Sequence, residues 1–178
     1  AVAVAQWVHA KSPGAGFGIK PGDIAVGGLA FALVFPAVFG VSLIAGTLAA
    51  VFSSTPPDPI AHETLRRIIE SSATDRLLYG FAVVCCIPII EEVIFRGFAQ
   101  SALRSLGVGA WGTVLIGSAL FAGIHADVAS LHALPTLFVL GVALGVAFEH
   151  TRRLWVPIAM HAAFNAVNIA LAVASPAG

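Results

Sequence analysis

Three short stretches of the chain hold side chains capable of acid–base chemistry, each in otherwise apolar surroundings. "EEVIFRG" at 91–97 supplies Glu91, Glu92 and Arg96. "FAGIH" at 121–125 supplies His125, with Phe121 one turn before it. "HAAFN" at 161–165 supplies His161 and Asn165. The run ahead of the first stretch, "LLYGFAVVCCIPII", carries no charge and has the composition of a bilayer interior. A charged side chain at mid-membrane costs about 2.5–3.5 kcal/mol on insertion scales, while each Leu, Ile, Val or Phe returns about 0.3–0.6. Glu91, Glu92 and Arg96 together can therefore cancel most of one helix's insertion energy. Side chains that costly face a polar interior and have a task.

Helical geometry sorts the candidates. Glu92 and Arg96 stand at i and i+4 with the glutamate on the N-terminal side, the better orientation for a pair, so they are expected to pair. Glu91 points about 100° away from Glu92 and is left without this partner. Pro88, one turn earlier, has no N–H and frees the carbonyl near residue 84, so a kink there opens room beside Glu91. His161 and Asn165 share one helix face, and Phe121 can pack against His125 and orient its imidazole. If the three stretches meet, Glu91 and His125 can hold a water and deprotonate it. His161 and Asn165 can then donate hydrogen bonds to a developing oxyanion. Those parts make a hydrolase without a covalent nucleophile. Glu91, His125 and His161 are also ligands for Zn²⁺ or another divalent metal by number and type, although the chain has no HExxH stretch.

The elements that must position these groups are membrane helices. Of 178 residues, 58% are hydrophobic and 10% charged, against about 25% charged in a soluble domain. Mean hydropathy is +0.96. A helix crosses a bilayer with about 20 apolar residues, and residues 24–52, 77–98, 105–124, 131–148 and 154–174 approach or reach that length. Pro36 is a kink point in the first, Pro135 lies in the first turn of the fourth, and Gly141 and Gly145 form a GxxxG packing face. Barrel strands are excluded, because these runs neither alternate nor stop near the ~10 residues of such a strand. In the 53–76 connection, Asp58 followed by Pro59 reads as a helix start. Ala61, Leu65, Ile68 and Ile69 then fall on one face of a short interfacial helix. The expected fold is all-α: a polytopic transmembrane bundle of about five spanning helices plus that interfacial helix. It forms a single membrane-embedded domain over 1–178, with 1–22 the remnant of an upstream helix and loop.

Lysine and arginine placement sets an expected orientation. Lys11, Lys20, Arg96, Arg104, Arg152 and Arg153 cluster at loops 9–22, 99–109 and 149–153, which places those loops in the cytoplasm. Only Arg66, Arg67 and Arg76 fall on the other side. The net charge is 0 with no basic block, so a nucleic-acid partner has no electrostatic footprint. Cys85 and Cys86 read as small buried hydrophobes rather than a disulfide. His9, His62, His132 and His150 fall in or near loops and read as solvated or interfacial. Trp111 and Trp155 fit an interfacial aromatic belt. Oligomeric state stays open, since Gly141 and Gly145 can pack within the bundle or between copies.

Taken in order, "EEVIFRG" fits EExxxR, "FAGIH" fits FxxxH and "HAAFN" fits HxxxN. The chain thereby resembles the CPBP family of intramembrane endopeptidases, the CAAX proteases and bacteriocin-processing or Abi proteins, over roughly residues 80–170. The resemblance implies peptide-bond hydrolysis of a membrane-anchored or lipidated substrate near the cytoplasmic face, by a multi-pass protein of a bacterial inner membrane. It implies that Glu91 and His125 activate the water and that His161 and Asn165 stabilise the oxyanion, with Glu92, Arg96 and Phe121 in support. Two other function classes stand beside it: a proton or metal-ion transporter using the same intramembrane Glu/His residues as a relay, and a catalytically silent adaptor, which tolerates loss of Glu91. One geometric tension accompanies these readings. Glu91 and His161 read as close to the cytoplasmic ends of their spans, whereas His125 lies some 20 residues past Arg104 and deeper. Either a loop in glycine-rich "GVGAWG" (107–112) or a strong tilt would relieve it.

Overall fold

A computed structural model describes residue 16, residues 18–52 and residues 62–174. The segment 1–15, which holds Lys11 and His9, lies outside the described residues, as does the expected helix start at Asp58 and Pro59. Six helices carry the described chain. They are α1 (Asp23–Phe52), α2 (Glu63–Glu70), α3 (Ala73–Ser105), α4 (Ala110–Ile124), α5 (Leu134–Thr151, led in by a short 3-10 turn) and α6 (Trp155–Ala174). Among the described residues there is no strand, only two isolated bridges, Gly16 with Arg153 and His62 with Ala129. The all-helical polytopic bundle expected from sequence is the fold observed.

Four helices, α1, α3, α5 with its lead-in turn, and α6, are long and apolar enough to cross a membrane. The expected span at 105–124 is shorter than the sequence suggests. Gly107 adopts a left-handed φ of 88° and Gly109 is extended at the N-cap, so the glycine-rich stretch is a turn and α4 begins only at Ala110. At about 1.5 Å per residue, its 15 residues reach well short of the ~30 Å hydrocarbon core. This turn shortens α4, while the depth tension at His125 goes because Glu91 lies mid-way along α3 rather than at its end.

The bundle's outer face carries large apolar side chains, such as Leu33, Phe52 and Leu77, as a lipid-facing surface does. Cys85 and Cys86 belong to that face: both thiols are free and exposed, contrary to the buried positions expected. Lipid accepts a small apolar side chain as readily as a core does. Inside, Phe31, Phe121, Leu140, Leu144, Val156 and Met160 form one cluster across α1, α4, α5 and α6. Small residues let the helices close. A methyl on Gly141 would lie 3.1 Å from Ser118 of α4, and one on Gly145 would lie 3.3 Å from Val114 and Gln100. The GxxxG face therefore packs within the bundle.

At one end of the bundle polar side chains lock the helices together. Asp23, fully buried, pairs with Arg153. Glu149 accepts from Gln100 at 3.1 Å and Arg152 at 2.6 Å, with Arg104 at 3.6 Å. Arg152 takes a left-handed φ of 54° to close the tight α5–α6 turn. These contacts gather residues 23, 104, 149, 152 and 153 at the same end, as the sequence expectation requires.

Candidate active site

α3 is where the local chain departs most from a regular helix. Two π-helical stretches, Ala82–Cys86 and Val93–Gln100, bracket the α-helical turn Ile87–Glu92. Such wide turns recur at functional sites. Pro88 is the local cause of the first. Ile87 N–H reaches back to the Ala82 carbonyl, and in that five-residue register Pro88, which has no N–H, leaves the Val83 carbonyl unserved. The Asn165 amide fills the gap, donating to Val83 O at 2.9 Å. The freed carbonyl foreseen near residue 84 is thus one position earlier, and a side chain 82 residues away serves it.

The two glutamates then face different partners. Glu92 is fully buried. Its Oε1 accepts from Arg96 Nη1 at 3.0 Å, the expected i, i+4 pair, and from His161 Nδ1 at 2.9 Å. Arg96 also donates to the Gly141 carbonyl at 3.0 Å and lies over the Phe121 ring, 5.1 Å from its centre. Glu91 instead faces both imidazoles: its Oε1 is 3.8 Å from His125 Nε2 and its Oε2 is 3.6 Å from His161 Nε2. Both gaps exceed a hydrogen bond. Glu91 Oε2 is buried without a hydrogen-bond partner, whereas Oε1, toward His125, is not closed off in this way.

Phe121 orders this arrangement from the centre. Its fully buried ring sits 4.9 Å from the His125 ring and 5.6 Å from the His161 ring. Its carbonyl accepts from His125 Nδ1 at 2.7 Å. Glu91, Phe121, His125, His161 and Asn165 all line one cavity of about 630 Å³. The expected convergence of three distant stretches is therefore present in the fold.

The same cavity takes in side chains that the sequence reading missed. His62, read as a solvated or interfacial loop residue, is the N-cap of α2 and lines the cavity, its ring 6.0 Å from that of His125. Burial pushes its imidazole below the ordinary value, and nearby His125 adds to that while Glu63 opposes it. His132 and Thr136 also line the cavity, and Thr136 Oγ1 is buried without a hydrogen-bond partner. α2 lies along the cavity: Leu65 and Ile68 turn inward, and Ile68 is 1% exposed. No periodicity could have flagged His62, because what places it is a backbone bond from Glu63 N–H to Val128 O at 2.9 Å.

As placed, Glu91, His125 and His161 do not make a metal centre. Among the described residues no group of three or more His, Cys, Asp or Glu is gathered to hold a metal ion.

The cavity lies away from the charge-locked end. Its wall uses the late part of α1 (Ser42, Gly46), the first half of α3 (Val83 to Glu91), the end of α4, the start of α5 (Thr136, Leu137) and the later part of α6. In antiparallel neighbours these are all the same half of the bundle. Glu91 sits mid-way along a 33-residue helix, not near its end. An orientation that puts loops 99–109 and 149–153 in the cytoplasm therefore puts the cavity in the opposite half, and the expectation of an active site on the cytoplasmic side does not hold together with it.

Comparison with known proteins gives three findings. Residues 73–167, more than half of the chain, match the family described as "Type II CAAX prenyl endopeptidase Rce1-like". The chain is 26% identical over 132 residues to an Escherichia coli protein named "Uncharacterized 24.3 kDa protein", covering 68% of this chain and 59% of that one. It is 30% identical over 130 residues to the Bacillus subtilis (strain 168) protein named "Putative membrane peptidase YdiL", covering 68% and 52%. The chain thus spans between half and three-fifths of the length of these relatives. No solved structure matches it.

Proposed function

The chain belongs to the Rce1-like family of type II CAAX prenyl endopeptidases, and from that membership we propose that it is an integral membrane endopeptidase whose site is the Glu91 cavity. The observation that carries the reading is the Glu91 carboxylate flanked by His125 Nε2 and His161 Nε2 in a cavity that also holds Asn165. The reacting water sits between Glu91 Oε1 and His125. His125 Nδ1 donates to the Phe121 carbonyl, so the neutral ring presents a lone pair at Nε2. Two acceptors then hold both O–H bonds of the water and leave its oxygen lone pair for the substrate carbonyl carbon. Glu91 takes the water proton as attack proceeds. It returns the proton to the leaving nitrogen when the C–N bond breaks, giving an amine and a carboxylic acid that then ionises to the carboxylate.

The oxyanion formed in between needs donors. Asn165 uses one amide N–H on Val83 O and keeps the other. His161 can donate from Nε2 only as imidazolium, because its Nδ1–H is held by Glu92. As imidazolium it also stands 3.6 Å from Glu91 Oε2 and balances that carboxylate's charge. Glu92 and Arg96 hold His161 in place. No step is routed through a metal.

A cavity walled partly by Leu65, Ile68, Leu137 and Phe164 supports a membrane-anchored or lipidated peptide as substrate, and the bacterial relatives support a bacterial inner membrane as its location. The test is cleavage of a membrane-anchored, internally quenched peptide by the purified protein in proteoliposomes. Wild-type protein cleaves and Glu91→Gln and His125→Ala do not; unchanged cleavage in either variant rejects the assignment.

A further inference from the structure

The proton positions on three histidines of the cavity follow from their partners. A neutral imidazole donates from one nitrogen and accepts at the other. His125 Nδ1 faces a carbonyl oxygen at 2.7 Å, which can only accept. His161 Nδ1 faces Glu92 Oε1 at 2.9 Å, an oxygen that also accepts from Arg96. In their neutral forms both rings therefore carry the proton on Nδ1 and turn a bare Nε2 toward Glu91. His62 is the reverse case. Its Nδ1 accepts the Thr64 N–H at 3.2 Å, so its proton is on Nε2. The cavity is rich in lone pairs that can hold a water and short of N–H groups that can hold a carbonyl oxygen.

We propose that His62 fills this shortage, its Nε2–H donating a hydrogen bond to the scissile carbonyl oxygen beside the second amide N–H of Asn165. The proposal deepens the peptidase reading above and rests on it. Position supports it. His62 lines the cavity next to His125, with ring centres 6.0 Å apart. Its backbone is pinned to the loop that follows His125, through Glu63 N–H on Val128 O and the bridge to Ala129. Ile68, buried on the same helix, anchors that helix over the cavity. Chemistry supports it as well. A neutral imidazole gives a hydrogen bond without giving up its proton, so the proton exchanged among water, Glu91 and the leaving nitrogen is undisturbed. Preorganised N–H groups of this kind lower the barrier where negative charge develops.

Two substitutions separate this role from the capping role. His62→Asn keeps an acceptor for the Thr64 N–H, since asparagine is a favoured N-cap, but has no donor at the reach of Nε2. His62→Gln restores an N–H at that reach. With the membrane-anchored quenched peptide in proteoliposomes, His62→Asn is expected to lower kcat about 100-fold with KM little changed, and His62→Gln to recover at least part of it. Wild-type kcat in His62→Asn, a loss confined to KM, or equal kcat in the two variants would overturn the proposal. Glu91→Gln, run in parallel, reports on the peptidase reading alone: full cleavage there overturns that reading whatever His62 does. A second measurement is independent of cleavage. ¹⁵N spectra of histidine-labelled wild-type protein in nanodiscs should show the proton on Nε2 for His62 and on Nδ1 for His125 and His161. A neutral His62 protonated on Nδ1, or a neutral His161 protonated on Nε2, refutes the assignment.

Discussion

Glu91 and Glu92 are adjacent in sequence and opposite in bonding. Glu92 accepts from Arg96 and His161 at 3.0 and 2.9 Å in complete burial, whereas among the described residues Glu91 has no ionisable partner nearer than the imidazoles at 3.6 and 3.8 Å. One carboxylate is bonded into the fold and the other is not. Replacing each should therefore give opposite phenotypes. Glu91→Gln is expected to cut kcat by about 10²–10⁴, the range for a lost general base, while the thermal unfolding midpoint stays near wild type. A large fall in that midpoint would show that Glu91 is structural.

Arg96→Ala strips Glu92 of its cation and leaves a buried charge with His161 alone. Breaking a buried pair from one side costs about 3–5 kcal/mol. A marked drop in thermal midpoint, with loss of activity as His161 shifts, is the expected result. A variant as stable as wild type in a detergent melting assay would contradict the assigned burial.

The Asn165 amide serves a carbonyl that Pro88 cannot. Asn165→Ala alone should destabilise by about 1–3 kcal/mol, the cost of an unsatisfied buried acceptor. Pro88→Ala restores an N–H, so in the double variant part of that stability should return while activity stays low. A double-mutant cycle in thermal denaturation measures the coupling; strict additivity would mean the two residues do not share Val83.

Gly27 is a close approach between α1 and α6, where a methyl would lie 2.6 Å from both Val156 O and Ala159 Cβ. Because one of these atoms is backbone, the helices would have to separate. Gly27→Ala is expected to destabilise by about 1–3 kcal/mol, as overpacking does. Gly28→Ala, where nothing lies within 4 Å, should be tolerated.

The two ends of the bundle can be told apart by labelling. In a background with Cys85 and Cys86 replaced by alanine, Thr74→Cys and Leu106→Cys should react with an impermeant thiol reagent from opposite faces of a sealed membrane. The face that labels Thr74 is the one toward which the cavity lies. Reaction of both positions from one face would break the deduced helix order.

Much of the site was legible locally. Glu92 with Arg96, His161 with Asn165 and Phe121 with His125 are all one turn apart, and a helix forces such residues onto one face. What escaped was the group that depends on another part of the chain. His62 was set aside because a loop histidine carries no period. Glu149, which ties Gln100 and Arg152 together, also left no pattern.

The sequence by itself determined that the chain is a bundle of membrane helices carrying three polar motifs, because composition and one-turn spacing act within a single helix. Only the tertiary structure decided that Glu92 also takes the His161 imidazole. It also decided that α4 is short, that Asn165 answers Val83, and that His62 joins the cavity. Those outcomes come from hydrogen bonds closed between residues up to 82 positions apart, and a one-dimensional pattern records only neighbours along one helix.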